Sequence, residues 1–187
     1  SALSTTQIKG ITSTALSQLS ATQIAAFSST QLSALTRTQI TALSATDVAE
    51  LTPTELAAMS STMLSSLTSS ALQGLNTTLI ASLSTTQIKG LTSTQCASLT
   101  ETQLAAFADT QIAALNITTI RGLASTAISA LTETQIDALS PQQLAGLSAV
   151  AASKLTTTQI ASLNATQLSG LTPTQMSWLK STAIAAL

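Results

Sequence analysis

Histidine and tyrosine are absent from this 187-residue chain, and one cysteine, one tryptophan and two phenylalanines stand nearly alone of their kinds. Without histidine there is no imidazole to act as general base or metal ligand. A single thiol, Cys96, can close no internal disulfide and completes none of the usual zinc sites. Charge is equally scarce: charged residues make up 7% of the chain, where globular domains carry about 25%. Six basic and seven acidic residues give a net charge of -1, which leaves no electrostatic footprint for nucleic acid, an anionic membrane surface or acidic ligands. No apolar run comes near the roughly 20 residues that a membrane-spanning helix needs, and no basic-then-apolar leader opens the sequence, so membrane insertion is not expected. Low charge with a positive mean hydropathy of +0.42 also argues against disorder, which requires low hydrophobicity and high net charge.

What the chain does contain is a period of eight. Stepping by eight from Leu3 gives Ile11, Leu19, Phe27, Leu35, Leu43, Leu51, Met59 and so on to Leu179 and Leu187, and every such position is apolar. The whole chain, residues 1–187, thus reads as a single array of 23 octads of the form L-[ST]-x-T-Q-[IL]-x-[small]. Position two is Ser, Thr or Asn except at Ala108, Ala124 and Lys180; position four is Thr except at Ser70, Gln142 and Val150. Position five is Gln in 13 octads, with Asp47 and Glu55 as acidic equivalents; position six is apolar from Ile8 to Ile184; position eight is Gly, Ala or Ser in 19.

These preferences match the start of a helix if position two is the N-cap. Ser or Thr followed three residues later by Gln or Glu is the capping box, in which each side chain satisfies the other residue's free backbone N–H. Positions one and six then form the hydrophobic staple that fixes the chain's entry into the helix. Independent residues agree with this phase. Pro53, Pro141 and Pro173 all fall at position three, the first helical site, where a missing N–H costs nothing. Glu101, Asp109 and Glu133 share that position beside the positive end of the helix dipole, and Lys9, Lys89, Arg121 and Lys154 lie near the opposite end, while Arg37 and Lys180 break the trend. All six glycines occupy position eight, where a helix must stop or another backbone comes close.

The fold class expected is therefore all-α: a solenoid with one very short helix per octad, over positions three to eight, joined by an extended link at positions one and two. Helices this short are marginal alone, so stacking of positions one and six into a shared axial core must hold them. One continuous helix would rotate the pattern by roughly 80° per octad and bury some twenty caps uselessly inside a rod. A β-solenoid is the other alternative, but positions one and six have opposite parity in a strand, and Ala, Leu, Gln and Met replace the expected Val, Tyr and Phe. Two or three helices could make up each coil. The segment Ser4 to Gly10 recurs at Ser84 to Gly90, and Phe27 recurs at Phe107, a spacing of ten octads that is divisible by two and not by three. It favours two.

Residues with chemical potential all have a structural reading. The Ser and Thr hydroxyls sit where caps and first-turn residues belong. Asp47, Glu50 and Glu55 cluster in sequence but are expected on a solvated surface, and Cys96 replaces Ile or Leu at position six, as a buried, inert thiol would. Trp178 stands in place of a small residue and either covers a coil or marks a contact. The sequons at Asn76, Asn116 and Asn164 arise whenever Asn replaces Ser at position two, because Thr already follows two residues on. No catalytic, cofactor-binding or metal-binding residue is assigned, no cofactor is expected, and the chain does not read as an enzyme.

Tracts such as Leu83-Ser84-Thr85-Thr86-Gln87-Ile88 and Leu171-Thr172-Pro173-Thr174-Gln175-Met176 resemble the repeat regions of very large secreted or cell-surface bacterial proteins of adhesin or haemagglutinin type. The resemblance covers the whole chain and implies an extracellular stalk, spacer, fibre or surface-layer role, with no functional residue to carry over. Ser1 and Ala2 fit positions seven and eight, and Leu187 begins a further octad, so the array is expected to continue into more repeats or to self-associate through open ends. The competing expectation is a Thr-rich surface that binds ice, polysaccharide or another repeat array.

Overall fold

In a computed structural model the chain is described over residues 3–185. Ser1, Ala2, Ala186 and Leu187, on which the reading of open ends drew, lie outside the described residues. The described residues form short α-helices and no strand, one helix to each octad. Helices run from four residues, as in Ser13–Leu16, to six, as in Thr5–Gly10. They are all-α solenoid turns of the expected kind, and neither the continuous rod nor the β-solenoid survives. Contacts divide the chain into two compact units, Ser1–Leu91 and Thr92–Leu187, each built the same way.

The caps fold as the sequence dictates. Position two is extended, as at Thr36 with φ -75° and ψ 161°. Its side chain accepts the N–H of position five, while its own N–H is accepted by the position-five side chain: Gln39 N–H to Thr36 Oγ1 at 3.3 Å and Thr36 N–H to Gln39 Oε1 at 2.8 Å. The same reciprocal pair forms with an acid at Ser44 and Asp47, and at Thr52 and Glu55. Ala108, Ala124 and Lys180 provide no side-chain cap, although Gln111 Oε1 still accepts the Ala108 N–H at 2.7 Å. The three prolines occupy the first helical turn of their octads. Each helix ends when position one turns extended and its N–H bonds back to the position-six carbonyl, as Leu35 does to Leu32 at 3.1 Å.

No described residue has a positive φ, so the position-eight glycines are not left-handed terminators. Close approach explains most of them, Gly10 excepted. A Cβ on Gly122 would run into the Ser93 carbonyl, one on Gly74 into the Ala45 carbonyl, and one on Gly170 would come within 2.7 Å of Pro141. In each case the end of one helix rests on the beginning of another, and only a hydrogen fits between them.

The coil has three helices, one of the two numbers the sequence left open and not the one that the ten-octad recurrence favoured. Within the first unit Thr5–Gly10 packs on Ser29–Ser33, Ser13–Leu16 on Arg37–Ile40 and Ala21–Ala25 on Ala45–Ala49. Within the second, Ser93–Ser98 packs on Ile117–Gly122, and Pro141–Gly146 on Ala165–Gly170. Every partner lies three octads away. Octads with the same sequence, such as those at Ser4 and Ser84, fall on different sides of the coil. Their recurrence reports the octad and carries no information on the turn.

Burial gives the stack a direction. Position six is sealed throughout the interior, with Ile8, Leu64, Ile88, Leu144 and Ile160 at 0–1% exposure. In the first described coil position one is open, Leu3 at 42%, while position six is already covered; around residue 180 the order reverses, Leu179 at 8% and Ile184 at 41%. Position one therefore packs against the preceding coil and position six against the following one. The axial core is the row of interfaces between them.

Candidate functional site

Position five does more than cap. Its amide Oε1 is held by the N-cap, and its Nε2 turns toward the coil beneath, where it donates to carbonyls 28 and 30 or 31 residues earlier. Gln39 Nε2 bonds Ile11 O and Ile8 O, both at 2.7 Å; Gln159 Nε2 bonds Leu131 O at 2.6 Å and Ile128 O at 3.1 Å; Gln175 Nε2 bonds Leu147 O and Leu144 O, both at 2.8 Å. Gln143 and Gln167 reach the position-one carbonyls of Leu115 and Leu139 in the same way. These amides are 2–6% exposed. A buried primary amide has two donors and an acceptor to satisfy, and this arrangement satisfies all of them. Sequence reasoning explained Gln by the capping box alone. The missed signal was the excess of Gln over Glu at position five, since a capping box accepts either.

The acids singled out by sequence do not gather into a site. Asp47 Oδ2 accepts the Ser44 N–H and hydroxyl, both at 2.8 Å, and Glu55 Oε2 accepts those of Thr52 at 2.7 and 2.9 Å. Each carboxylate belongs to its own helix cap, and Glu50 is exposed at the end of Ala45–Ala49. Cys96 is buried at position six, 1% exposed, and loss of hydration pushes its thiol up to about 12 from 9.0. The thiolate, the reactive form, is suppressed there. Asn76, Asn116 and Asn164 are N-caps whose Oδ1 accepts the position-five N–H at 2.9–3.0 Å. Trp178 ends its helix with 54% of its surface exposed, so it does not serve as a buried cover.

What the solenoid presents outward is hydroxyl. The position-four side chain is exposed in every described octad, almost always as Thr. Position-seven serines fold back onto the helix, as Ser33 Oγ donates to Thr30 O at 2.9 Å and Ser169 Oγ to Thr166 O at 2.7 Å. Shallow grooves run between helices of successive coils. One is lined by Ser93, Thr94, Ala97, Thr118, Arg121 and Gly122, and its counterpart two coils later by Pro141, Gln142, Ala145, Thr166, Ser169 and Gly170. Both are lined by an Ala and a Gly beside residues that mostly have polar side chains, and their exposed lining is more apolar than polar. Among the described residues no helix is long and apolar enough to cross a membrane.

Compared with known protein families, curated proteins and solved structures, the chain matches none.

Proposed function

We propose that this chain is a structural or adhesive repeat module, a stalk, spacer or fibre or surface-layer segment of a secreted or cell-surface protein. The observation that carries the reading is the recurring Gln-to-carbonyl bond between coils. A coil that carries position-five Gln has donors on the side that meets its predecessor, and its carbonyls face its successor, so such coils add to one another by one rule. Such a design supplies length and stiffness. Its surface is nearly uncharged, which suits regular packing against neighbouring repeats and gives no attraction for nucleic acid. The same donor and acceptor rule supports self-association, either with further repeats or between copies. The resemblance to bacterial surface repeats supports the extracellular placement, and the absence of histidine with a protonated, buried Cys96 supports a non-catalytic role. Sedimentation over a range of concentrations, with electron microscopy of the same samples, tests the assembling role. Concentration-dependent species and filaments are expected; monomers at every concentration with no filaments would remove self-assembly from the reading.

A second reading rests on the exposed Thr of position four, a repeated hydroxyl surface flanking shallow grooves. It makes the module a binder of an ordered, hydroxyl-rich partner such as a polysaccharide or ice. Glycan pull-down and thermal hysteresis discriminate, because a pure spacer is silent in both.

A further inference from the structure

The cross-coil bond from position five is interrupted in one place for five octads in a row. From residue 43 to residue 82 that position holds Asp47, Glu55, Met63, Ala71 and Leu79. None has a donor to offer to the coil below. Elsewhere in the first unit Gln31 bonds Leu3 O at 2.6 Å, Gln39 bonds Ile11 O at 2.7 Å and Gln87 bonds Met59 O at 2.9 Å. By the same register of 28 residues, the carbonyls left without a glutamine are those of Leu19, Phe27, Leu35, Leu43 and Leu51.

Backbone bonding does not compensate. Position one lies outside the helices, and its carbonyl takes no part in the turn and cap bonds of the backbone. Two of the five substitutes are carboxylates, which can only accept. Asp47 and Glu55 keep their caps, so the local helix is intact while the bond to the neighbouring coil is gone. The helices packed against theirs, Ala21–Ala25 and Ser69–Leu72 for Asp47, and Ser29–Ser33 and Thr77–Ser82 for Glu55, carry no Lys or Arg that could pair with the acids.

The second unit has no such stretch. There at most two successive octads lack Gln: Thr119 and Ala127 are followed by Gln135 and Gln143, and Ala151 by Gln159, Gln167 and Gln175. Between residues 99 and 170 each coil interface keeps two of its three bonds, to Phe107 and Leu115 and then to Leu131 and Leu139. The interface between residues 19–42 and 43–66 keeps none, because its three positions are Asp47, Glu55 and Met63.

We infer that residues 43–82 form a parting seam, the stretch of the first unit where coils separate first when the solenoid is heated or placed under load. Apolar packing still closes the seam, Leu43, Leu51 and Met59 being 2–5% exposed. What it lacks is the glutamine bond to the preceding coil, while bonds from the following coil remain, as from Gln87 to Met59 O at 2.9 Å. The inference stands on the bonding pattern and is independent of the stalk reading.

Hydrogen exchange by mass spectrometry on the full chain tests it. The amides of Leu56, Leu64 and Leu72 make helical bonds at 2.9–3.0 Å, as do those of Ile136, Leu144 and Ile160 at 3.0 Å, so the two sets differ mainly in the coil contacts behind them. The first set is expected to exchange together, about tenfold or more faster than the second. The triple variant Asp47→Gln, Glu55→Gln, Met63→Gln should close that gap. The reverse variant Gln135→Met, Gln143→Glu, Gln159→Met should open a new fast block in the second unit, which keeps the test decisive if the first variant misfolds. Equal exchange in the two sets of the native chain would overturn the inference, as would a reverse variant that folds and shows no new fast block.

Discussion

The side chain of Gln39 reaches the carbonyl of Ile11, 28 residues earlier, at 2.7 Å while it also accepts the N–H of its own cap residue Thr36 at 2.8 Å. One amide thereby closes a helix and ties two coils together. Ordinary capping boxes do the first task only, and the second is what turns a row of marginal helices into a stack.

The glycines of position eight separate into two kinds. Gly122 lies against the Ser93 backbone with no room for a Cβ, whereas Gly10 has nothing within 4 Å. Gly122→Ala should destabilise the second unit by about 1–3 kcal/mol through overpacking. Gly10→Ala, at a helical position with ordinary φ, should be neutral or stabilising by up to about 1 kcal/mol. Thermal unfolding of the two variants side by side checks the contrast, and equal effects would contradict the close approach.

Missing caps can be restored. Ala124 precedes a helix that has no side-chain cap bond, so Ala124→Ser should add about 1 kcal/mol of stability. Thr132→Ala, which removes the cap accepting the Gln135 N–H at 3.2 Å, should cost about the same. Denaturant unfolding of both reads the sign directly.

Cys96 should ignore thiol reagents in the folded protein at mildly alkaline pH and react once the chain unfolds, because burial holds it protonated up to about 12. The linkage follows from the direction of the shift. The folded state retains the proton where the unfolded chain, with its thiol at 9.0, releases it. Stability from this group is therefore complete below 9.0 and is lost as pH rises toward about 12. Reaction rates in native and denaturing buffer check the first part, and rapid native labelling would contradict it.

Much of the fold was legible because each octad repeats a local instruction. Ser or Thr at position two, Pro53, Pro141 and Pro173 at position three, and the apolar pair at one and six specify where a helix begins without reference to any other part of the chain. The number of helices per turn was not legible in the same way, since it is fixed where one coil meets the next. Gly122 against Ser93 and Gln159 against Leu131 are long-range fits, and the recurrence of Ser4 to Gly10 at Ser84 obscured them by matching octads that face different directions. The bias toward Gln at position five was visible, but the capping box already accounted for it. Only geometry revealed its second partner. Asp47 and Glu55 were legible as acidic equivalents of the capping-box Gln, and each is turned into its own cap; the burial of Asp47, at 8% exposure, departs from the solvated surface expected of it.

The central claim is that position-five glutamine acts between coils as well as within its helix. Gln159→Glu separates the two roles, because Glu keeps the acceptor that bonds the Thr156 N–H and loses the donor that reaches Leu131 O and Ile128 O. Equilibrium unfolding in denaturant should show a loss of about 1–3 kcal/mol with the helical circular dichroism of the folded state unchanged. A Gln159→Glu variant as stable as the parent would mean that the residue is a cap and nothing more, and the account of how the coils hold together would fail.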